Sequence, residues 1–445
     1  MEYLQQLIFL AALGGISFGV AMRIRRIRQN VLMGRPEERK DQKKLRLRNM
    51  LLVALGQRKM FKRPAPAIFH FFIYAGFLLI NIEVLEIVID GIVGSHRIFT
   101  GFLGGSYTVM INFFEGLALL VLLSCMVFLA RREIMHVRRF WKSEMRGWPR
   151  LDAALILLIE AALMVAILAM DASDQVLQSR QVPGYPDTGV IYVSSLLVPL
   201  LDNLSTLSLI IVERACWWFH IIGILGFALY ITYSKHLHIA LAFPAAYFSR
   251  LVPKGKMDNM PEVTAEVQSM LGQSVAQQEA PQEIPRLGAR DVKDLSWKNL
   301  LDAYTCTECG RCTSECPANW TGKKLSPRKI LMDTRDRLEE AGRRKAKGLE
   351  AEDGKSLLGD YISAEELNAC TTCNACTEAC PINLDPLSII LQLRRYMAME
   401  ESASPAEWNM MFSNIETSFS PWKFPPSDRF NWAGGLRGEG EEENA

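Results

Sequence analysis

Five stretches of the chain, near 4–22, 67–89, 108–130, 152–170 and 208–233, are apolar almost throughout. Each is close to the roughly 20 residues a helix needs to cross the hydrocarbon of a bilayer, so the pattern predicts five transmembrane helices within residues 1–250. After residue 250 the pattern changes. Residues 251–445 are polar and charged, and a stretch rich in Gln, Glu and Pro near 254–290 reads as a linker. The organisation expected is a membrane domain over 1–250, a linker over 251–294, a cysteine-bearing domain over 295–400 and a tail over 401–445. The first apolar run follows "MEYLQQ", which has no basic residue, and its arginines come afterwards in "RIRRIR". That is the reverse of a secretory leader, so the run is expected to stay as a helix.

Composition adds little until it is divided. Hydrophobic residues make up 49% of the 445 residues and the net charge is +2; both averages hide two unlike halves. Residues 23–63 carry fifteen Lys/Arg against three Asp/Glu, and residues 131–150 seven against two. The loop over 171–207 has one against four. Basic loops stay in the cytoplasm. The expected orientation has the N-terminus outside and everything after residue 240 inside, at the cytoplasmic (inner) membrane. Beside five spans, "RKDQKKLRLR" reads as a loop at an anionic leaflet, and no nucleic-acid partner is expected. "LRLRNMLLVALGQRKMFKRP" is expected to lie along the inner surface until Pro64 and Pro66 end it.

Histidines stand out in this apolar half. "CWWFHIIGILGFALYITYSKHLH" holds His220 and His238 eighteen residues apart. On one continuous helix that is five full turns, so the two rings share a face about 27 Å apart. Polar side chains inside a membrane are costly and tend to be functional, and neutral imidazole is an axial ligand of haem iron. His70, at the start of the second span, lies at the depth of His238 and is its expected partner for an inner b-type haem. His236 is the alternative, although it points about 160° away from His220. For an outer haem, His220 pairs with His96 of "GSHRIFTGFLGG"; the competing reading has a hydrogen-bonded buried His220 and a surface His96, leaving one haem. His136, in a basic loop, reads as surface, and Cys125 and Cys216 as packing.

Five helices, an outside N-terminus and this histidine spacing resemble the dihaem γ-subunit of respiratory nitrate reductase. "GQRKMF", His70 and "WWFH…YSKHLH" resemble the cytochrome subunit of membrane-bound heterodisulfide reductases. In the nitrate-reductase group the second span supplies two histidines ten residues apart; here the second position is Ile80. The resemblance implies an all-α, five-helix membrane cytochrome b domain.

Other polar residues gather toward the outer side: Asn81, Glu83, Glu86, Asp90, Glu115, Glu213 and Arg214, with Glu160 inside the fourth span. A carboxyl group beside a redox centre could exchange the protons of a quinone, and Glu83, Glu86 and Arg214 are the candidates for that site. The plain alternative is interfacial residues and ion pairs such as Glu86–Arg97.

Eight of the ten cysteines lie in the polar half. "CTECGRCTSECP" holds Cys306, Cys309, Cys312 and Cys316; "CTTCNACTEACP" holds Cys370, Cys373, Cys376 and Cys380. Both read C-x2-C-x2-C-x3-C-P, which resembles the two-cluster bacterial-type ferredoxin run, where the fourth cysteine serves the other cluster. The resemblance implies one [4Fe–4S] cluster on Cys306, Cys309, Cys312 and Cys380, and another on Cys370, Cys373, Cys376 and Cys316. Disulfides are disfavoured on the cytoplasmic side, and zinc sites use paired knuckles instead. The long charged insert between the motifs resembles the α-helical ferredoxin domain of the heterodisulfide-reductase and succinate-dehydrogenase iron–sulfur groups.

The expectation is therefore a membrane electron-transfer subunit that works between the quinone pool and a cytoplasmic redox partner. No nucleotide loop, flavin fingerprint or nucleophile–base pair stands in the sequence. Relatives of this type often add a cysteine-rich module with paired "CCG" motifs, which this sequence lacks. The resemblance thus implies a partner subunit bearing one, or an electron-transferring flavoprotein. Trp422, Phe424, Phe430 and Trp432 in the tail are expected to anchor on such a partner. The competing class is a redox-sensing or structural anchor for a cytoplasmic iron–sulfur enzyme.

Overall fold

The computed structural model describes residues 2–273, 286–349 and 353–436; parts of the expected linker (274–285) and tail (437–445) lie outside the described residues. Helices and turns account for the described chain, with no β-strand among the described residues. Five helices are long and apolar enough to cross a membrane: Tyr3–Val31, Pro64–Val93, Gly105–Glu133, Trp148–Ser179 and Thr206–Ile231. They are labelled here α1 (Glu2–Val31), α2 (Pro64–Leu79) with α3 (Asn81–Val93), α4 (Gly105–Glu133), α5 (Trp148–Ser179) and α6 (Thr206–Ile231). α5 is the central helix and packs against α4 and α6, while α2 lies on α4 and α1 on α6 and α3. Phe18, Phe71, Val109, Phe113, Leu158 and Ile211 are exposed around the outside. Such a belt suits lipid, which offers backbone groups no partner and therefore selects helices.

Two breaks matter for the site. The second span is interrupted at Ile80, where the Asn81 side chain donates to the Phe77 carbonyl and competes with the helical ladder. The fifth span ends at Ile231, before His238, so the continuous helix expected to join His220 to His238 is not formed. Ser234 turns to an extended conformation (φ −108, ψ 158) and caps a single turn over Lys235–Leu237 by accepting from the His236 amide. Asp152 of α5 fixes that turn, accepting from the Lys235 amide at 3.1 Å and from the Tyr230 hydroxyl at 2.5 Å. A new helix, α7 (His238–Tyr247), starts at His238.

The basic stretch before α2 forms a helix over Lys43–Met50 that packs against α7. Arg46 donates to the Ser249 carbonyl at 3.0 Å and Asn49 to the Ala246 carbonyl at 2.8 Å. The cysteine-bearing part is built on α8 (Trp297–Thr305), α9 (Pro327–Ala346) and α10 (Pro386–Met399), around Leu300, Leu338, Ile389 and Leu393. Ile27, Ile231 and Ala245 belong to the same apolar cluster, so the core runs without interruption from the membrane helices into this domain. After α10 comes α11 (Ala406–Ser418), whose Trp408, Met410 and Phe412 are exposed, as are Trp422, Phe424, Phe430 and Trp432 beyond it.

Candidate redox site

The two cysteine loops repeat one backbone course. Glu308 and Gly310 in the first, and Thr372 and Asn374 in the second, all take positive φ, at 55°, 70°, 56° and 61°. The alternation curls each C-x2-C-x2-C run around a common centre, and a short helix then follows, Arg311–Ser314 or Ala375–Ala379. At Gly310 the φ of 70° is one that L side chains rarely adopt, and a Cβ would also press on the Arg328 guanidinium at 2.6 Å.

Cys306, Cys309, Cys312 and Cys380 line one cavity. Three thiols of the first loop and the last thiol of the second thus converge, and the donor set fits an iron–sulfur cluster. Cys316, the remaining thiol of the first loop, lies within electrostatic reach of Cys370 and Cys373, and Cys376 within reach of Cys370 and Cys316. Backbone amides point at the sulfurs: Thr372 N donates to Cys370 at 3.4 Å and Leu384 N to Cys380 at 3.3 Å. Burial pushes the Cys306 thiol up to about 12 and the Cys380 thiol up to about 11. Both are therefore protonated until a metal displaces the proton.

The histidines sort by the tautomer their neighbours impose. His70 Nδ1 meets Gln57 Oε1 at 3.1 Å, His238 Nδ1 meets the Lys235 carbonyl at 3.2 Å, and His220 Nδ1 meets the Leu163 carbonyl at 3.1 Å. In each the oxygen takes the Nδ1 proton and leaves a lone pair on Nε2, the arrangement of metal-ligating imidazoles. The His70 and His238 rings are 6.4 Å apart between centroids. Two imidazoles sharing one metal through bonds of about 2 Å have centroids roughly 6 Å apart, so the spacing of this pair suits two axial ligands of one iron. Burial, reinforced by His236 and His70, pushes His238 down to about 3, which keeps it neutral. His236 is otherwise engaged: its Nε2 faces Glu160 Oε1 at 3.3 Å, and its ring lies 5.4 Å from that of His238.

His96 and His220 are not brought together. His96 has both nitrogens occupied, Nε2 by Asp174 at 3.0 Å and Nδ1 by Arg214 at 3.2 Å. That is the opposite tautomer from the other three. His220 faces a cavity of about 100 Å³ between the second, third, fourth and fifth spans, and no other histidine lines it. The His96–His220 pair expected for an outer haem is therefore not formed in this structure.

Residues 305–384 match the family model of the 4Fe-4S dicluster domain. The chain is 26% identical over 435 residues to the "Probable iron-sulfur-binding oxidoreductase FadF" of Bacillus subtilis, covering 90% of this chain and 57% of that protein. It is 25% identical over 420 residues to the EtfAB:quinone oxidoreductase of Syntrophomonas wolfei, covering 88% of this chain and 54% of that protein. Over 146 residues it is 27% identical to a subunit of the dihydromethanophenazine:CoB–CoM heterodisulfide reductase of Methanosarcina mazei, covering 32% of this chain and 35% of that one. The chain thus spans little more than half the length of the first two relatives. No solved structure matches it. Its relatives include iron–sulfur oxidoreductases and heterodisulfide reductase subunits, and together with the 4Fe-4S dicluster match over 305–384 they support a part in electron transfer.

Most of the expected polar residues form a connected network at the end of the bundle away from the cysteines, while Asn81 bonds to the Phe77 carbonyl and Glu160 faces His236. Arg97, which is buried, bonds to Glu83 at 3.4 Å, to Asp174 at 3.0 Å and also to Asp171. Glu86 does not pair with Arg97 as expected; it accepts from the Phe99 amide and the Tyr107 hydroxyl, both at 2.8 Å. Arg214 pairs with Glu213. Glu83, Glu86 and Arg214 are therefore satisfied by protein partners. Sequence reading missed Asp171 and Asp174, taken as the start of a loop, because α5 continues to Ser179. It also missed Lys235 and Glu308. Lys235 lies beside His238 and pairs with Glu308, between Cys306 and Cys309; both are buried. No local pattern marks that pair, since its members are 73 residues apart.

Proposed function

We propose that this chain passes electrons between a membrane quinone and a redox partner on the side of its iron–sulfur domain. The observation that carries this reading is the buried link between the two histidines and the first cysteine loop. The Lys235 carbonyl orients His238, and the Lys235 ammonium bonds to Glu308 within that loop. In this reading one cluster sits on Cys306, Cys309, Cys312 and Cys380, the other on Cys370, Cys373, Cys376 and Cys316, and one b-type haem between His70 and His238. Bound there, these groups would supply one-electron carriers in series. The residues of the chain hold them, keep water out and set their charge environment. Lys59 and Arg311 supply positive charge near Cys380 and Cys309. Cys373 is exposed, which supports the second loop as the side that meets a partner.

A relative named for oxidising EtfAB with quinone supports a flavoprotein as that partner; heterodisulfide reductase relatives support a cysteine-rich subunit. The exposed aromatics from Trp408 to Trp432 offer a docking segment. The loop charges support an iron–sulfur domain in the cytoplasm and an N-terminus outside.

The test is spectroscopy on the anaerobically purified full chain. A Soret band reduced by duroquinol and two [4Fe–4S] EPR signals are expected. His70→Ala and His238→Ala should each remove the haem, and Cys380→Ser should remove one cluster signal. Zinc in the cysteine loops, or a chain without haem, ends this reading. Centres that reduce but never reoxidise with any partner favour a sensor.

A further inference from the structure

His220 is wholly buried, and its Nε2 has no hydrogen-bond partner. A buried polar atom without a partner is costly. Since Nδ1 is committed to the Leu163 carbonyl, Nε2 is the atom left for the cavity that His220 lines. Opposite walls are apolar, from Ile73, Val121 and Ile224, and two more polar residues line the cavity, Glu160 and Asn81. An apolar chamber with a few placed polar atoms is the usual form of a small-molecule site. At about 100 Å³ it is closer to a cavity of about 150 Å³ that takes one benzene ring than to a macrocycle pocket.

The surroundings say what kind of ring. Glu160 touches His236 at 3.3 Å, and the His236 ring lies 5.4 Å from His238. The cavity is therefore two side chains from the proposed haem ligand. Its wall includes Ile80 and Asn81, where the second span breaks, and Phe77, which is 41% exposed on the outer face of the bundle.

We propose that His220 and Glu160 form the head-group site for a membrane quinol, a single redox-active ring bearing two hydroxyl groups. Nε2 of His220 accepts a hydrogen bond from one hydroxyl. This rests on the quinone reading above and moves its site away from Glu83, Glu86 and Arg214.

The test uses the full chain in detergent with duroquinol and duroquinone as probes, binding followed by calorimetry and haem counted as the pyridine haemochrome. Wild type should bind duroquinol more tightly than duroquinone, because only the quinol donates to Nε2. His220→Leu should bind duroquinol about tenfold more weakly, one hydrogen bond's worth, and keep the wild-type haem count. Val84→Phe, which fills the cavity and leaves His220 in the sequence, should abolish binding of both. It also decides the question if the histidine variant does not accumulate. Loss of haem in His220→Leu, or wild-type affinity in either variant, overturns the site. Wild type that binds neither probe and is not reduced by duroquinol would overturn the quinone reading itself.

Discussion

Arg337 has no exposed side-chain surface and reaches Asp291 at 2.7 Å, Asp353 at 2.8 Å and the Lys355 carbonyl at 2.8 Å. It ties the start of the iron–sulfur domain to the segment after residue 352. Its hydrogen bond holds the Asp353 carboxyl at about 2, below the usual value of about 3.9. A depressed carboxylate adds stability that is complete above the unfolded value and is lost as pH falls through the folded one. Arg337→Leu should therefore cost about 3–5 kcal/mol near pH 7, since it leaves two carboxylates without their cation. The gap in helical melting temperature between wild type and variant should narrow as pH drops from 4 toward 2; a gap independent of pH would refute the assignment. Legibility at this scale follows sequence distance. The cysteine sets repeat within a few residues, so spacing alone pairs them with a cofactor. Asp174 lies 78 residues from His96, and nothing near His96 foretells that both its nitrogens are taken.

At the scale of elements, apolar length located all five spans, because a bilayer imposes one length on every helix. Breaks within them were not legible. Ser234 and Asp152 end α6 before His238 through contacts that no hydropathy pattern carries. Yet the rings of His70 and His238 still meet, so the expected partners are adjacent by another route. α2 and α4 approach closely at Gly76, where a Cβ would meet Val121 Cγ2 at 2.4 Å. Gly76 also lines the chamber under His220. Gly76→Leu should force the second span off α4 and cost about 1–3 kcal/mol as overpacking does. In thermal scans of the purified protein its midpoint should fall below that of wild type. An unchanged midpoint would mean that the two helices separate freely.

For the whole molecule, the question is whether membrane bundle and iron–sulfur domain are fixed to each other. Arg23 of α1 grips Glu339 of α9 with two bonds, at 2.7 and 3.2 Å, and Tyr304 donates to the same carboxylate at 2.6 Å. Asn30 completes the chain by donating to the Tyr304 hydroxyl at 2.8 Å. Arg328 reaches Glu144 and the Arg139 carbonyl, both at 2.7 Å, on the opposite flank. Arg23 and Arg139 enter the sequence reading only as positive charge on inward loops; the fold employs them as interface residues as well. If these contacts fix the domains, Arg23→Glu and Glu339→Arg should each lower the temperature at which the iron–sulfur chromophore bleaches. The double swap should recover part of the loss, with a coupling of about 0.5–3 kcal/mol, as expected of residues in direct contact. Strict additivity would mean that this pair does not fasten the halves, which would then rest on the shared apolar core, the Arg328–Glu144 bond and the Lys235–Glu308 contact between His238 and the first cysteine loop. Coupling would instead make that contact a permanent part of the protein, with the His70–His238 pair and the first loop held at one separation through every redox cycle.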